Sequence, residues 1–336
     1  MKFLNKYIFV CMLSILALAS CSDDDKYVAG EQDSAEKVGA YFPTTDGGNN
    51  EVDPSDPTEF SVKVARLNTK GAVSVPLTVK ENDNDAYQVP ATADFKDGEA
   101  ETTVKIAFPN AAEGATNVLT IEVANDYVSL YKENAEKVSY TTTYTRVKWE
   151  DVGVGYWIDG NINTLFGIDA IPLAVDLQKT VSTDGKTIRY RFDSPFAYTV
   201  SGQDELGGYI GFPYNEEGDC DGQSHKMIVK VSGTTATLAP TYIGMNWADY
   251  GKFSIGQIVS NLKNANGIIT DTDTYPLGIY KKGENTPGTI TWPANSLFIK
   301  LSEYNGGYVG VASNPSMLFL SSDDFKTYLD SQKEGE

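Results

Sequence analysis

Histidine and cysteine are scarce in this chain, and basic residues are outnumbered. The 336 residues include one histidine and three cysteines. A Ser-His-Asp site would have to use His225 as its base, yet no Gly-x-Ser-x-Gly elbow or other nucleophile signature accompanies it. Zinc takes three or four protein ligands, and beyond residue 21 the only Cys and His are Cys220 and His225. No Gly-x-x-x-x-Gly-Lys loop is present, and Gly153-Val154-Gly155 opens no βαβ unit, so nucleotide cofactors are not expected. The 27 basic side chains face 46 acidic ones, a formal charge of −19. Such a surface repels nucleic acid, whose binding needs clustered Lys and Arg. Long apolar runs are missing too. Tyr7 to Ala19 is mostly apolar for thirteen residues, short of the roughly 20 that span a bilayer.

What that short run does fit is a secretory signal. Lys2 and Lys6 stand near its start, and the small residues Ala19 and Ser20 end it at Cys21. Leu18-Ala19-Ser20-Cys21 resembles a bacterial lipobox. The resemblance implies cleavage before Cys21, diacylation of its sulfur and acylation of the new amine. More than one acyl chain suffices for stable anchoring. Ser22, Asp23, Asp24 and Asp25 resemble the acidic export tag of surface lipoproteins from Bacteroidota-type bacteria, which implies the outer membrane, facing outward. Residues 1–20 are then a signal peptide and 21–37 a lipidated cysteine on a flexible acidic tether. Removing residues 1–20 takes away Lys2 and Lys6 and no acid, which leaves 25 bases against 46 acids, or −21. This charge disfavours adsorption to anionic lipid, so the anchor must hold the chain at the membrane. Cys11 leaves with the signal and Cys21 carries lipid, so Cys220 stands alone and no intrachain disulfide is possible.

The remaining 300 or so residues are long enough to bury a core in two domains, and they read as all-β. Phe60–Val64, Val73–Val79, Thr103–Phe108 and Leu119–Val123 alternate apolar and polar residues, the mark of half-buried strands. Between them lie turn formers at Asn68–Gly71, Asn82–Asp85 and Asp97-Gly98. Residues 38–147 therefore form an immunoglobulin-like β-sandwich. The succession FSVKVAR, VSVPLTV, DAY and ADFKDGEAETTVKIAF resembles a Calx-β domain, with Phe95-Lys96-Asp97-Gly98-Glu99 as its best part. Some Calx-β domains bind calcium through clustered carboxylates, including an acidic turn after the last of these strands. Here Pro109-Asn110-Ala111-Ala112-Glu113 stands in that place, and calcium takes six to eight oxygens. No calcium is expected; Glu81–Asp85 reads as an acidic turn, with a weak surface ion as the alternative.

Trp149 opens a region of different texture. All four tryptophans, Trp149, Trp157, Trp247 and Trp292, are here. Residues 148–336 read as a larger β-sandwich or barrel-like domain. Asp184-Gly185 marks one hairpin, and Ser232-Gly233-Thr234 another. Further strands are expected at Thr289–Trp292 and Leu297–Leu301, with Val309–Ala312 pairing with Met317–Leu320. Ser322-Asp323-Asp324 are placed to cap a helix over Phe325–Leu329, and Gly256–Asn264 reads as a second short helix. Trp149-Glu150-Asp151-Val152-Gly153 and Trp247-Ala248-Asp249-Tyr250-Gly251 share W-x-D-x-G, an echo better explained by chance or a common turn than by duplication. WEDVGVGYWIDGNI and YRFDSPF also resemble the second domain of uncharacterised Bacteroidota lipoproteins, which implies no established chemistry.

No catalytic residue, metal or cofactor is expected. Glu216, Glu217, Asp219 and Asp221 read as a polar loop, with calcium as the weaker alternative. Sugars present C–H faces that pack on aromatic rings, so Tyr156, Trp157, Tyr209, Trp247, Tyr250 and Trp292 are candidate platform residues; for any one of them, core packing is the competing explanation. The sequence thus points to a non-enzymatic surface lipoprotein that binds glycan as an accessory of nutrient uptake. Its expected partners are the outer membrane through the lipid, a polysaccharide and an outer-membrane transport protein. The alternative is an adhesion or spacer protein that binds another surface protein.

Overall fold

Alternating burial sets the faces of many of the described strands, Glu101–Ala107, Thr116–Val123, Lys226–Ser232 and Thr289–Trp292 among them. A computed structural model describes residues 37–334 apart from 167–171, 197–217, 265–266, 274, 305–306 and 308. The lipobox, the acidic tag and Tyr209 lie outside the described residues. The chain divides into two compact units. One holds the described part of Met1–Gly48 with Thr58–Asn110 and Val118–Thr143; the other holds Asn49–Pro57, Ala111–Asn117 and Tyr144–Glu336.

A two-sheet sandwich accounts for most of the first unit. Strands β1 (Ala40–Tyr41), β3 (Glu59–Arg66) and β6 (Glu101–Ala107) form one sheet, in the order β1-β3-β6. Strands β2 (Asp46–Val52), β8 (Ser139–Arg146), β7 (Thr116–Val123), β4 (Val73–Asn82) and β5 (Thr92–Phe95) form the other, in that order. Val62, Val64, Val104 and Ile106 are buried from the first sheet, and Val75, Phe95, Leu119 and Ile121 from the second. These are the apolar positions of the period-two pattern. The Calx-β-like motif has a visible cause. Arg66 ends β3 almost fully buried, at 3% exposure. Its guanidinium donates to the carbonyls of Glu99 (2.7 Å), Gly71 (2.9 Å), Thr69 (2.9 Å) and Lys96 (2.7 Å), and it lies 5.0 Å from the Phe95 ring centroid. The Arg that ends FSVKVAR therefore holds the FKDGE turn in place.

The second unit is a closed antiparallel barrel. In barrel order its strands are β9 (Glu150–Ile158), β10 (Pro172–Val181), β11 (Thr187–Asp193), β13 (Lys226–Ser232), β14 (Thr235–Leu238), β19 (Gly278–Lys281), β20 (Thr289–Trp292) and β23 (Ser316–Phe319), which pairs back to β9. Closure leaves no open edge, and eight strands enclose an interior that side chains can fill. A second sheet of β12 (Gly218–Cys220), β15 (Thr241–Trp247), β16 (Gly251–Gln257), β21 (Leu297–Leu301) and β22 (Val309–Val311) is made from the connections between barrel strands. A two-residue pair, β17 (Lys263–Asn264) with β18 (Gly267–Ile268), completes the unit. One apolar cluster joins barrel and sheet: Trp157, Phe192 and Trp292 pack in it together with Ile243, Phe253 and Ile299. Gly278 is required by this packing, because a Cβ there would lie 2.6 Å from the Trp292 indole nitrogen.

Several expectations need correction. Gly256–Asn264 is not a helix. Ile255, Ile258, Val259 and Leu262 stand at helical spacing, but Gly256 and Gln257 pair with Phe298 and Leu297 as the end of β16, and Ile258 packs with Ile269 and Phe298. Nor does Val309–Ala312 pair with Met317–Leu320. β22 pairs with β21 in the second sheet, whereas β23 pairs with β20 and β9 in the barrel. The C-terminal helix exists but runs over Ser322–Lys333, with Ser321 as its cap: the Ser321 hydroxyl accepts the Asp324 amide. The two W-x-D-x-G segments differ. The first leads into β9, and the second turns from β15 into β16.

Candidate functional site

Two tips of the second sheet lie side by side. β15 leads through a single 3-10 turn, Ala248–Tyr250, into β16, and β21 runs out at Leu301 into Ser302–Tyr304. Ser302 joins them: its hydroxyl accepts the Lys252 amide at 2.8 Å, and its own amide donates to the Lys252 carbonyl at 3.0 Å. The Glu303 amide donates to the Tyr250 carbonyl at 3.1 Å. With both backbones tied, the Tyr250 and Tyr304 rings stack, centroids 5.3 Å apart and 29° between planes. Tyr250 is 36% exposed and Tyr304 45%. Asp249 and Glu303, both exposed, adjoin them in sequence. An offset aromatic pair on paired backbone is a preformed ledge. Such a ledge can take the apolar face of a pyranose ring on its outer surface, and neighbouring carboxylates can accept hydroxyl hydrogens.

The other candidate platform residues have different places. Trp157 and Trp292 are fully buried, their centroids 5.6 Å apart inside the barrel core. They are therefore core residues and not surface platforms, because inward alternation on β9 and β20 puts both indoles in the interior. Tyr156 is half-buried and stacks on Phe325 of the C-terminal helix at 4.3 Å and 23°, so the helix covers one face of its ring. Trp247 ends β15, and its side chain, like the whole of Tyr209, lies outside the described residues. Of the candidates whose side chains are described, Tyr250 stands at an exposed aromatic ledge. Tyr304 was missed in the sequence, where it is one of many tyrosines; its place beside Tyr250 depends on the pairing of β16 with β21.

His225 and its neighbours form a second polar group. The His225 Nε2 lies 2.7 Å from an Asp221 carboxylate oxygen, and its ring meets Tyr242 edge-on at 4.7 Å. Ser224 donates its hydroxyl to Asp193, which also accepts Lys226 at 2.8 Å. The nearest serine in sequence is therefore bonded to a carboxylate and not to the imidazole, which is not the order a Ser-His-Asp relay needs. Burial raises the Asp193 carboxyl, but the Lys226 and Ser224 bonds outweigh it and hold it below its ordinary value. At Asp221 burial is likewise outweighed, by the Gln223 amide and by His225.

Among the described residues no group of three or more His, Cys, Asp or Glu is placed to share an ion. In Glu81–Asp85, one Asp83 oxygen accepts the Val118 amide at 2.9 Å. The Asn82 side chain pairs with both the amide and the carbonyl of Tyr87, at 3.0 Å each. Glu216 and Glu217 lie outside the described residues, as does the Asp219 side chain.

No protein-family model matches the chain, and no curated protein does. Several solved structures are similar to it in part. CBD12 from CALX1.2 is 13% identical with a TM-score of 0.28, over 52% of this chain and 93% of that one. A protein of unknown function from Bacteroides ovatus is 14% identical with a TM-score of 0.25, over 84% of this chain and 94% of that one. An auxiliary nutrient binding protein from Bacteroides thetaiotaomicron is 9% identical with a TM-score of 0.24, over 81% of this chain and 89% of that one. At TM-scores this low, none of these similarities carries an argument about ligand or activity.

Proposed function

We propose that this chain is a non-enzymatic glycan-binding module, lipid-anchored at Cys21 on the outer face of the outer membrane and acting as an accessory of nutrient uptake. The observation that carries the binding half is the exposed Tyr250–Tyr304 pair on two tied strand tips. The anchoring half rests on Leu18-Ala19-Ser20-Cys21 and the acids that follow it. A sugar ring stacked on this ledge exchanges hydrated C–H surface for aromatic surface. No proton transfer is needed, which fits a module built to hold a ligand.

The test is affinity electrophoresis of the protein through neutral polysaccharides, with Tyr250→Ala/Tyr304→Ala beside the unaltered chain. Aromatic contacts are worth about 0.5–1.5 kcal/mol each beyond their buried area, so removing both rings is expected to weaken retention about tenfold or more. Equal retention of the double variant would remove the ledge from the reading. If no polysaccharide is retained and an outer-membrane protein co-purifies instead, the spacer or adhesion reading replaces it.

A further inference from the structure

A second depression lies on the opposite kind of surface, the outside of the barrel. The C-terminal helix crosses the barrel wall at β9 and β23 and leaves β19 and β20 uncovered beside it. The result is a groove of about 760 Å³, within the roughly 300–1,000 Å³ of small-ligand sites. Its floor follows from strand alternation. Ile290 and Trp292 point into the core, so Thr289 and Thr291 point out, flanked by Ile279 on β19 and Met317 on β23. Thr327 and Tyr328 of the helix form one wall.

The other wall is the loop from Lys282 to Gly288, and it is held from three sides. Asp324 is more than nine-tenths buried. Its carboxylate accepts the Thr286 hydroxyl and, at 3.0 Å, the Gly288 amide. The Tyr280 hydroxyl donates to the Pro287 carbonyl at 2.8 Å. Gly288 itself has φ +106°, and a Cβ there would lie 2.2 Å from the Lys281 carbonyl oxygen. Both walls are therefore fixed before any ligand arrives, which lowers the ordering cost of binding.

The charge at this groove differs from that of the chain as a whole. Lys281 and Lys282 line it side by side, and among the described residues neither is in an ion pair. Two acids line it as well: Asp324, whose carboxylate is occupied by the loop, and Glu284, which stands exposed. With Asp324 occupied, two ammonium groups face one free carboxylate, so in a protein with 46 acids against 27 bases the groove, with its floor of hydroxyls and apolar side chains, favours a negative ligand.

We propose that this groove binds an acidic oligosaccharide, a chain of uronate rings. The ring faces lie on Ile279, Met317 and Tyr328, the hydroxyls meet Thr289, Thr291 and Thr327, and the carboxylates meet Lys281 and Lys282. This site is separate from the Tyr250–Tyr304 ledge and does not rest on it.

The test uses the full chain in detergent and measures retention by polygalacturonate, alginate and hyaluronate, with methyl-esterified polygalacturonate as the uncharged control. At least one acidic polymer is expected to be retained. That retention should fall at least tenfold with Lys281→Ala/Lys282→Ala and several-fold with Thr291→Val. Both lysines are exposed, so the double variant is expected to fold, with an unchanged circular dichroism spectrum as the check. The proposal is overturned if none of the three acidic polymers is retained, or if the esterified polymer is held as well as the acid. It is equally overturned if the lysine variant binds like the unaltered chain.

Discussion

At the scale of single residues, the most informative group is one that the sequence did not bring forward. Asp159 follows β9 and is fully buried. Its carboxylate accepts the Ile162 amide and, at 3.4 Å, the Asn161 side-chain amide, so it caps the short helix Asn161–Phe166. Burial lifts its pKa from 3.8 to about 6, against the pull of those amides. The folded state therefore binds the proton more tightly than the unfolded one. Stability from this group is fully present below about pH 4 and is lost as pH rises through about 6. The difference is roughly 3 kcal/mol by proton linkage. Asp159→Asn keeps an oxygen for the Ile162 amide and removes the titration. Urea unfolding followed between pH 4 and 7 should lose this downward slope in the variant; a slope unchanged from that of the parent would show that Asp159 is not its source. Arg66 makes the complementary case. Its charge is buried without an acid, and four carbonyls take its place. Part of its role was legible, because FSVKVAR and FKDGE recur together in the resemblance, but the hydrogen bonds joining them were not.

At the scale of elements, what was legible is what local pattern specifies. Alternation located β3, β4, β6 and β7, and Asp184-Gly185 located the turn between β10 and β11. Alternation states which residues share a face. It does not state which strand lies next door, so β22 and β23 were assigned to each other although they belong to different sheets. For the same reason, nothing local distinguishes Trp157 and Trp292, which fill the barrel, from Tyr250, which stands outside it. The ledge exists because two sequence-distant tips meet, and the groove because a helix and a loop meet. The C-terminal helix was foreseen from its acids but not its docking. Phe325 stacks on Tyr156 at 4.3 Å and meets Phe319 edge-on at 5.2 Å. Phe325→Ala removes both contacts from a partly exposed position. The expected cost is about 2 kcal/mol, below the roughly 3–5 kcal/mol of fully buried phenylalanines, or a fall in Tm of about 4–8 °C for a unit of this size. Differential scanning calorimetry measures it. A fall under 1 °C would mean that the helix is held mainly by the Asp324 bonds.

At the scale of the whole molecule, charge and anchoring have to be considered together. The segment beyond residue 20 has 25 bases against 46 acids. Such a chain has no electrostatic attraction to an anionic bilayer. No described helix is long and apolar enough to cross one. If the protein is found with the membrane, the lipid on Cys21 is the simplest force that holds it there, since each buried CH₂ contributes about 0.8 kcal/mol. Cys21→Ala should therefore move the protein out of the membrane fraction on ultracentrifugation. The aspartates make a different claim, about which face of the membrane the anchored protein reaches. Asp23→Ala/Asp24→Ala/Asp25→Ala removes three charges from a highly acidic chain. It should leave sedimentation with the membrane unchanged while protecting the protein from protease added to intact cells. Continued cleavage by that protease would show that the acids are a solvated tether and nothing more. The ledge and groove proposed for polysaccharide would then owe their access to the medium to some other signal.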